Sequence, residues 1–182
     1  MIVLTEIKKV ALVGKMRSGK DTVANRLFSF YDFEFPIAFA TKMKLAAHDM
    51  FPWIPKDPKP RELYQFMDVM KQYDPLVWVK NLERSYEFLA NQRSVKGIVI
   101  SDVRSQDEAT WCRENGFLLV KIEADDETRK ARLKDEYNEG EFYHKTELSV
   151  DDIVPDYTIV NNGKYEELAD EVSNLVTYLN ER

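Results

Sequence analysis

The stretch Val10-Ala11-Leu12-Val13-Gly14-Lys15-Met16-Arg17-Ser18-Gly19-Lys20-Asp21-Thr22-Val23-Ala24 decides how this chain is read. Residues 10–13 form an apolar run bounded by Lys9 and Gly14. The run is too short for a helix and stops at a glycine, so it predicts a buried strand. After Lys20, the residues Val23, Ala24, Leu27 and Phe28 recur at helical spacing. Between the two lies G-x-x-x-x-G-K, Gly14 to Lys20. Glycines there allow a tight turn that points main-chain N–H groups at a phosphate chain, and the first helical turn adds unpaired donors and a positive dipole end. Lys20 supplies a point charge for β- and γ-phosphates. Nucleotide contacts are therefore expected from Gly14, Lys15, Arg17, Ser18, Gly19, Lys20, Asp21 and Thr22. The competing reading, a glycine turn with solubilising lysines, is disfavoured by the strand before and the helix after. The Ser or Thr that usually follows the lysine and ligates Mg²⁺ is Asp21 here, with Thr22 next. Either Asp21 holds the metal, directly or through water, or Thr22 does so with altered geometry.

Working outward, further apolar runs at 35–39, 98–100, 117–124 and 157–162 predict four more strands, separated by helical patterns. Strands alternating with helices predict an α/β fold: a five-stranded parallel sheet flanked by helices, with right-handed crossovers and ligands at the carboxyl ends of the strands. Residues 40–95 interrupt the alternation. They read as a helical insert around FPWIPKDPKP (51–60), which holds four of the seven prolines and so must be an extended or turning connection.

The composition narrows the function. The chain has 182 residues, enough for one domain with a real core. Its 26 Lys plus Arg against 32 Asp plus Glu give a net charge of -6, which is no global footprint for nucleic acid. One Cys and two His argue against a disulfide framework or a His/Cys metal site. No apolar run approaches the ~18 residues of a membrane span, and no signal cleavage site follows the N-terminus. A cytoplasmic protein is expected, binding small molecules rather than nucleic acid or membrane, with a homodimer left open.

A phosphate loop alone does not separate a kinase from a switch or a motor. The D-x-x-G and N-K-x-D segments of GTPases are absent, and the strand-end Asp102 is followed by Val103-Arg104 rather than by a Glu that could activate water. An Asp at a strand end beside the loop suits Mg²⁺. An Arg two residues on suits a phosphate on a second substrate. The bland readings are that Asp102 caps a helix and Arg104 is a surface charge. The helical pattern at 125–136 carries Arg129 and Arg132 on one face and runs into the polar stretch 135–152. It predicts either a lid whose arginines close over phosphates, excluding water, or a solvated helix. His48 and Cys112 read as structural. Of the three tryptophans, only Trp78 is a candidate for lining an acceptor pocket.

Together these residues resemble the deoxynucleoside monophosphate kinase family, best known from bacteriophages and similar to the animal-type phosphomevalonate kinases. GKMRSGKDT (14–22) resembles that family's G-x-[KR]-[RK]-S-G-K-D loop, with Asp where Ser or Thr is usual. Phe39-Ala40-Thr41-Lys42-Met43-Lys44, Pro75-Leu76-Val77-Trp78-Val79-Lys80, Ser101-Asp102-Val103-Arg104, His144-Lys145-Thr146-Glu147 and the turn ending in Asn161-Asn162-Gly163 resemble its segments in order. The resemblance implies a P-loop NTPase kinase fold over 1–182: core 7–39, 96–134 and 154–182, acceptor-binding insert 40–95, lid 135–152. It implies ATP as donor, Mg²⁺ as cofactor and a nucleoside 5′-monophosphate as acceptor. Lys20, Asp102, Arg104 and Arg132 would be catalytic, Asp21 and Asp102 would hold the metal, Arg129, Asn162 and Gly163 would contact ATP, and Lys44, Arg61, Trp78 and Arg104 would bind the acceptor. The alternatives are a kinase acting on phosphomevalonate or dephospho-coenzyme A, and a nucleotide-binding regulator without phosphoryl transfer.

Overall fold

The computed structural model describes residues 6–133 and 149–182. Strand β1 (Lys8–Val13) leads through the glycine loop into helix α1 (Lys20–Phe30). Helices α2 (Ala40–Met50), α3 (Arg61–Asp68) and α4 (Val77–Ala90) follow, with a 3-10 turn at Val69–Gln72. Then come β2 (Gly97–Val103), α5 (Gln106–Glu114), β3 (Leu118–Glu123), α6 (Asp126–Ala131), a 3-10 turn at Ser149–Asp152, β4 (Tyr157–Val160) and α7 (Tyr165–Asn180).

The strands lie in the order β2-β1-β3-β4, and every pair is parallel. Successive side chains of a strand face opposite sides of a sheet, and here both sides are covered. Val10 and Leu12 point into a core with Val23, Leu27, Leu168 and Val172 of α1 and α7. Ala11 and Val13 point the other way, toward Val79 and Leu82 of α4 and Ala109 and Cys112 of α5. A sheet buried on both faces reads as a continuous apolar run, which is why VALV carries no polar alternation. The chain leaves β1 for β2 on one side and later passes to β3 on the other, so β1 flanks the switch point where such sheets bind ligands.

The sheet has four strands among the described residues, not the expected five. The segment 35–39 contributes one isolated parallel bridge, Ile37 with Ile100. Ile37 donates to the Val99 carbonyl at 3.0 Å and accepts from Ser101 at 3.0 Å. Pro36 has no N–H to extend the ladder, and α2 begins at Ala40, so a strand cannot propagate in either direction.

The insert has a small core of its own, with Met43 and Ala47 of α2, Met67 of α3 and Trp78 of α4. His48 Nε2 and the Tyr64 hydroxyl lie 2.9 Å apart and tie α2 to α3. The helix expected at 125–136 is described as Asp126–Ala131. Most of the expected lid, with the segment His144-Lys145-Thr146-Glu147, lies outside the described residues. Its last residues, Ser149–Asp152, form the second 3-10 turn, with Val150 in the core. No helix among the described residues is long and apolar enough to cross a membrane.

Candidate active site

The loop after β1 closes into a nest. Ser18 N–H donates to the Lys15 carbonyl at 3.2 Å, and Val23 N–H to the Gly19 carbonyl at 3.0 Å. Arg17 adopts φ 62 and Gly19 φ 107. The second of these is a left-handed value that a side chain resists. Space makes the same demand, because a Cβ on Gly19 would overlap the Asn161 side-chain amide. At Gly14 a Cβ would meet the Ile122 carbonyl oxygen at 2.5 Å. Both glycines are thus set by close approach of β3 and β4.

Lys20 is 7% exposed, and its ammonium donates to the carbonyls of Gly14 (2.5 Å) and Lys15 (2.8 Å). The charge is therefore held at the mouth of the loop. Ser18 is buried, and its hydroxyl has no hydrogen-bond partner among the described residues. A buried polar atom without a partner is uncommon in a native protein. A phosphate oxygen would satisfy it. Lys15 pairs with Asp151 at 2.7 Å. Lys15, Ser18 and Asp151, with Lys121, Glu123 and Asn162, line a cavity of about 300 Å³ at the carboxyl ends of β3 and β4.

Two residues brace the loop from β4 and α6. Asn161, 5% exposed, donates from Nδ2 to the Ser18 carbonyl at 2.7 Å. The Arg132 guanidinium donates to the Arg17 carbonyl at 3.2 Å and to the Asn161 carbonyl at 2.9 Å. Arg129 is buried beside Asp126, at 3.4 Å. Asn162 accepts the Asp125 N–H at 2.8 Å, and Gly163 lies against Glu167.

Asp102 ends β2 next to the loop. The register between β1 and β2 shifts by one residue, from Ala11 with Ile100 to Val13 with Val103. A bulge of this kind re-aims a side chain, here that of Ser101 or Asp102. Asp102 Oδ1 accepts from Phe39 N–H at 2.7 Å and Oδ2 from Ala40 N–H at 3.0 Å. The carboxylate therefore holds the start of α2, not the start of the helix that follows it. Burial pushes its pKa up, while the two amides, Arg104 and Lys44 pull it down.

Two cations, Arg104 and Lys44, act on Asp102 and also on Lys59. Lys59, from the proline-rich connection, is pushed below the usual lysine range first by desolvation and then by Lys44, Arg61 and Arg104, with Asp21 acting the other way. The structure so brings Lys44, Arg61 and Arg104 together at the carboxyl end of β2, near Asp21. It adds Lys59, which sequence reading passed over as part of a connector. Trp78 is 6% exposed, inside the insert core, with its indole N–H on Asp68 at 3.2 Å. Glu108 backs the site: its Oε2 accepts from Arg104 N–H at 2.7 Å and Ser105 N–H at 3.2 Å, and burial raises its pKa to about 7.

Among the described residues no cluster of three or more His, Cys, Asp or Glu could cage a metal. Mg²⁺ at a nucleotide needs only one or two carboxylates, with phosphates and water completing the shell. Asp102 retains lone pairs beyond its two amide bonds, and Asp21 opens the helix that follows the glycine loop, so two carboxylates of the kind Mg²⁺ takes are present.

The parallel sheet and its flanking helices share their fold with solved kinases. A sugar kinase from Janibacter sp. HTCC2649 superposes with a TM-score of 0.59 at 18% identity, over 94% of this chain and 95% of that one. The shikimate kinase of Acinetobacter baumannii, solved with shikimate, gives 0.55 at 16% identity over 96% of both chains. The APS kinase of Mycobacterium tuberculosis, solved with AMPPNP and APS, gives 0.50 at 14% identity over 94% of this chain and 99% of that one. A family model described as "AAA domain" matches residues 10–152, and the chain belongs to that family. No curated protein matches the chain.

Proposed function

We propose that the protein transfers the γ-phosphoryl group of ATP to a nucleoside or deoxynucleoside 5′-monophosphate, giving ADP and the diphosphate. The observation that carries this reading is the grouping of Lys44, Arg61 and Arg104 around Lys59, with Asp21 also acting on Lys59, and with Lys44 and Arg104 also acting on Asp102. Like charges gathered at one place repel each other, and an anionic partner removes that cost. An acceptor phosphate is already ionised at neutral pH, so no general base is required. Catalysis is then alignment and charge neutralisation.

The loop amides from Lys15 to Lys20, the Ser18 hydroxyl and the Lys20 ammonium would hold the donor phosphates. Arg132, seated on the loop, stands beside them, with Arg129 at the base of the lid. Arg104, Lys44, Arg61 and Lys59 would hold the acceptor phosphate in line with the γ-phosphorus. Asp102 and Asp21 would hold Mg²⁺, which would neutralise phosphate charge there.

A coupled ADP assay with ATP, Mg²⁺ and an acceptor panel tests the reading. The panel contains nucleoside and deoxynucleoside monophosphates, phosphomevalonate, dephospho-coenzyme A and shikimate. ADP formation that depends on a nucleoside monophosphate is the expected result. Turnover confined to another acceptor, or ATP binding without any turnover, overturns it.

A further inference from the structure

A second cavity, of about 520 Å³, opens on the opposite flank of α2, between the segment at 34–37 and the second half of α4. Its size is that of a small-molecule site rather than a single-water void. The walls include Phe35 and Phe88, whose rings are 70% and 68% exposed. Phe28 meets Phe35 edge-on, with ring centroids 5.6 Å apart, which fixes the Phe35 ring. Lys42 and Arg84 line the same cavity. Neither makes a hydrogen bond or ion pair with any described residue, and the one carboxylate lining it, Glu34, pairs with neither. What sets this cavity apart from other exposed aromatics is that two phenylalanines and two unpaired cations line one concave space. A flat ring would lie against the phenylalanines, and an attached anion would meet the guanidinium and the ammonium.

The cavity is separate from the candidate active site. Lys42 and Lys44 sit on the same helix, α2; Lys42 lines this cavity, and Lys44 belongs to the cation group near Asp102. None of its lining residues belongs to the glycine loop or to that group.

We propose that this cavity is a binding site for a planar aromatic anion: a ring system carrying a single phosphate, sulfonate or carboxylate. The site does not depend on the phosphoryl-transfer reading. The test is fluorescence titration with anilinonaphthalene sulfonate in EDTA and saturating inorganic tripolyphosphate, so that the glycine loop is filled by an anion without a ring and no turnover occurs. Saturable binding is expected, displaced by phenyl phosphate and far less well by phenol. Arg84→Glu and Phe88→Ala should each weaken it by about tenfold, as expected when one charge-assisted bond or one ring wall is lost. Both side chains are on an exposed helix face. If Phe88→Ala melts early, Arg84→Glu and Lys42→Glu decide the matter instead. Unchanged affinity in these variants overturns the proposal, as does equal displacement by phenol and phenyl phosphate. Concentration-dependent dimerisation abolished by Phe88→Ala would also overturn it, since a second copy would then cover the cavity.

Discussion

Asn161 donates its side-chain amide to the Ser18 carbonyl at 2.7 Å, so the end of the last strand is bonded to the turn that follows the first. The same amide occupies the space a side chain on Gly19 would need. Asn161→Ala leaves that carbonyl without its buried donor, a loss of about 1–3 kcal/mol, and should weaken ATP binding by about tenfold in calorimetry. Gly19→Ala adds backbone strain at φ 107, and ATP binding should fall below detection at millimolar nucleotide. In the Asn161→Ala background the steric part of the Gly19→Ala cost disappears, so the two changes should be non-additive in thermal melts. Strict additivity would contradict the contact.

Lys20 provides the ammonium at the loop mouth. Lys20→Ala should lower kcat/KM on the order of 10³-fold, the scale of a positioned cation in phosphoryl transfer. A wild-type rate in steady-state kinetics would remove the loop from the mechanism.

Lys59→Ala and Arg104→Ala should each raise the acceptor KM by about tenfold and leave the ATP KM within about twofold, because both residues belong to the cation group opposite the loop. A parallel rise in both constants would place these residues on the donor instead.

Glu108 is buried, with a pKa raised from 4.5 to about 7 chiefly by desolvation and also by Asp102, against the Arg104 and Ser105 amides and Lys71. A carboxyl that holds its proton longer when folded contributes stability below its unfolded pKa, and that contribution is lost as pH rises through about 7. The magnitude is about 3 kcal/mol. Melting temperature should therefore fall between pH 5 and pH 8, and Glu108→Gln, which keeps the acceptor oxygen but not the charge, should flatten that fall. An identical slope in the variant would mean that Glu108 does not titrate in this range.

The parts of the molecule that were readable in the sequence are those written in consecutive residues. VALV followed by G-x-x-x-x-G-K gives strand, turn and helix together, because the glycines, the lysine and the apolar run act on their immediate neighbours. The segment at 35–39 shows the limit of periodicity: Phe35, Ile37 and Phe39 alternate as a strand would, yet Pro36 lacks the donor the ladder needs. Asn161 was within reach of the same rule. Tyr157, Ile159 and Asn161 share one face of β4, so period two selects Asn161 as the inward residue, whereas the N-x-G turn drew attention to Asn162 and Gly163. Lys59 gave no such signal, since nothing in FPWIPKDPKP says where a proline-rich connector brings its side chains. The partners of Asp102 were equally hidden, because the amides of Phe39 and Ala40 lie 63 and 62 residues away in the chain.

The grip of Asp102 on those two amides joins two parts of the molecule, the sheet and the helical insert. The carboxylate at the end of the central sheet is also the peg on which the insert hangs, and α2 cannot swing outward without unhooking both of its oxygens. Lys44, carried on that helix, is then held at a fixed reach from the nucleotide loop, as a caliper jaw is held from its anvil. One side chain thus keeps the spacing between the end of β2 and the start of the insert.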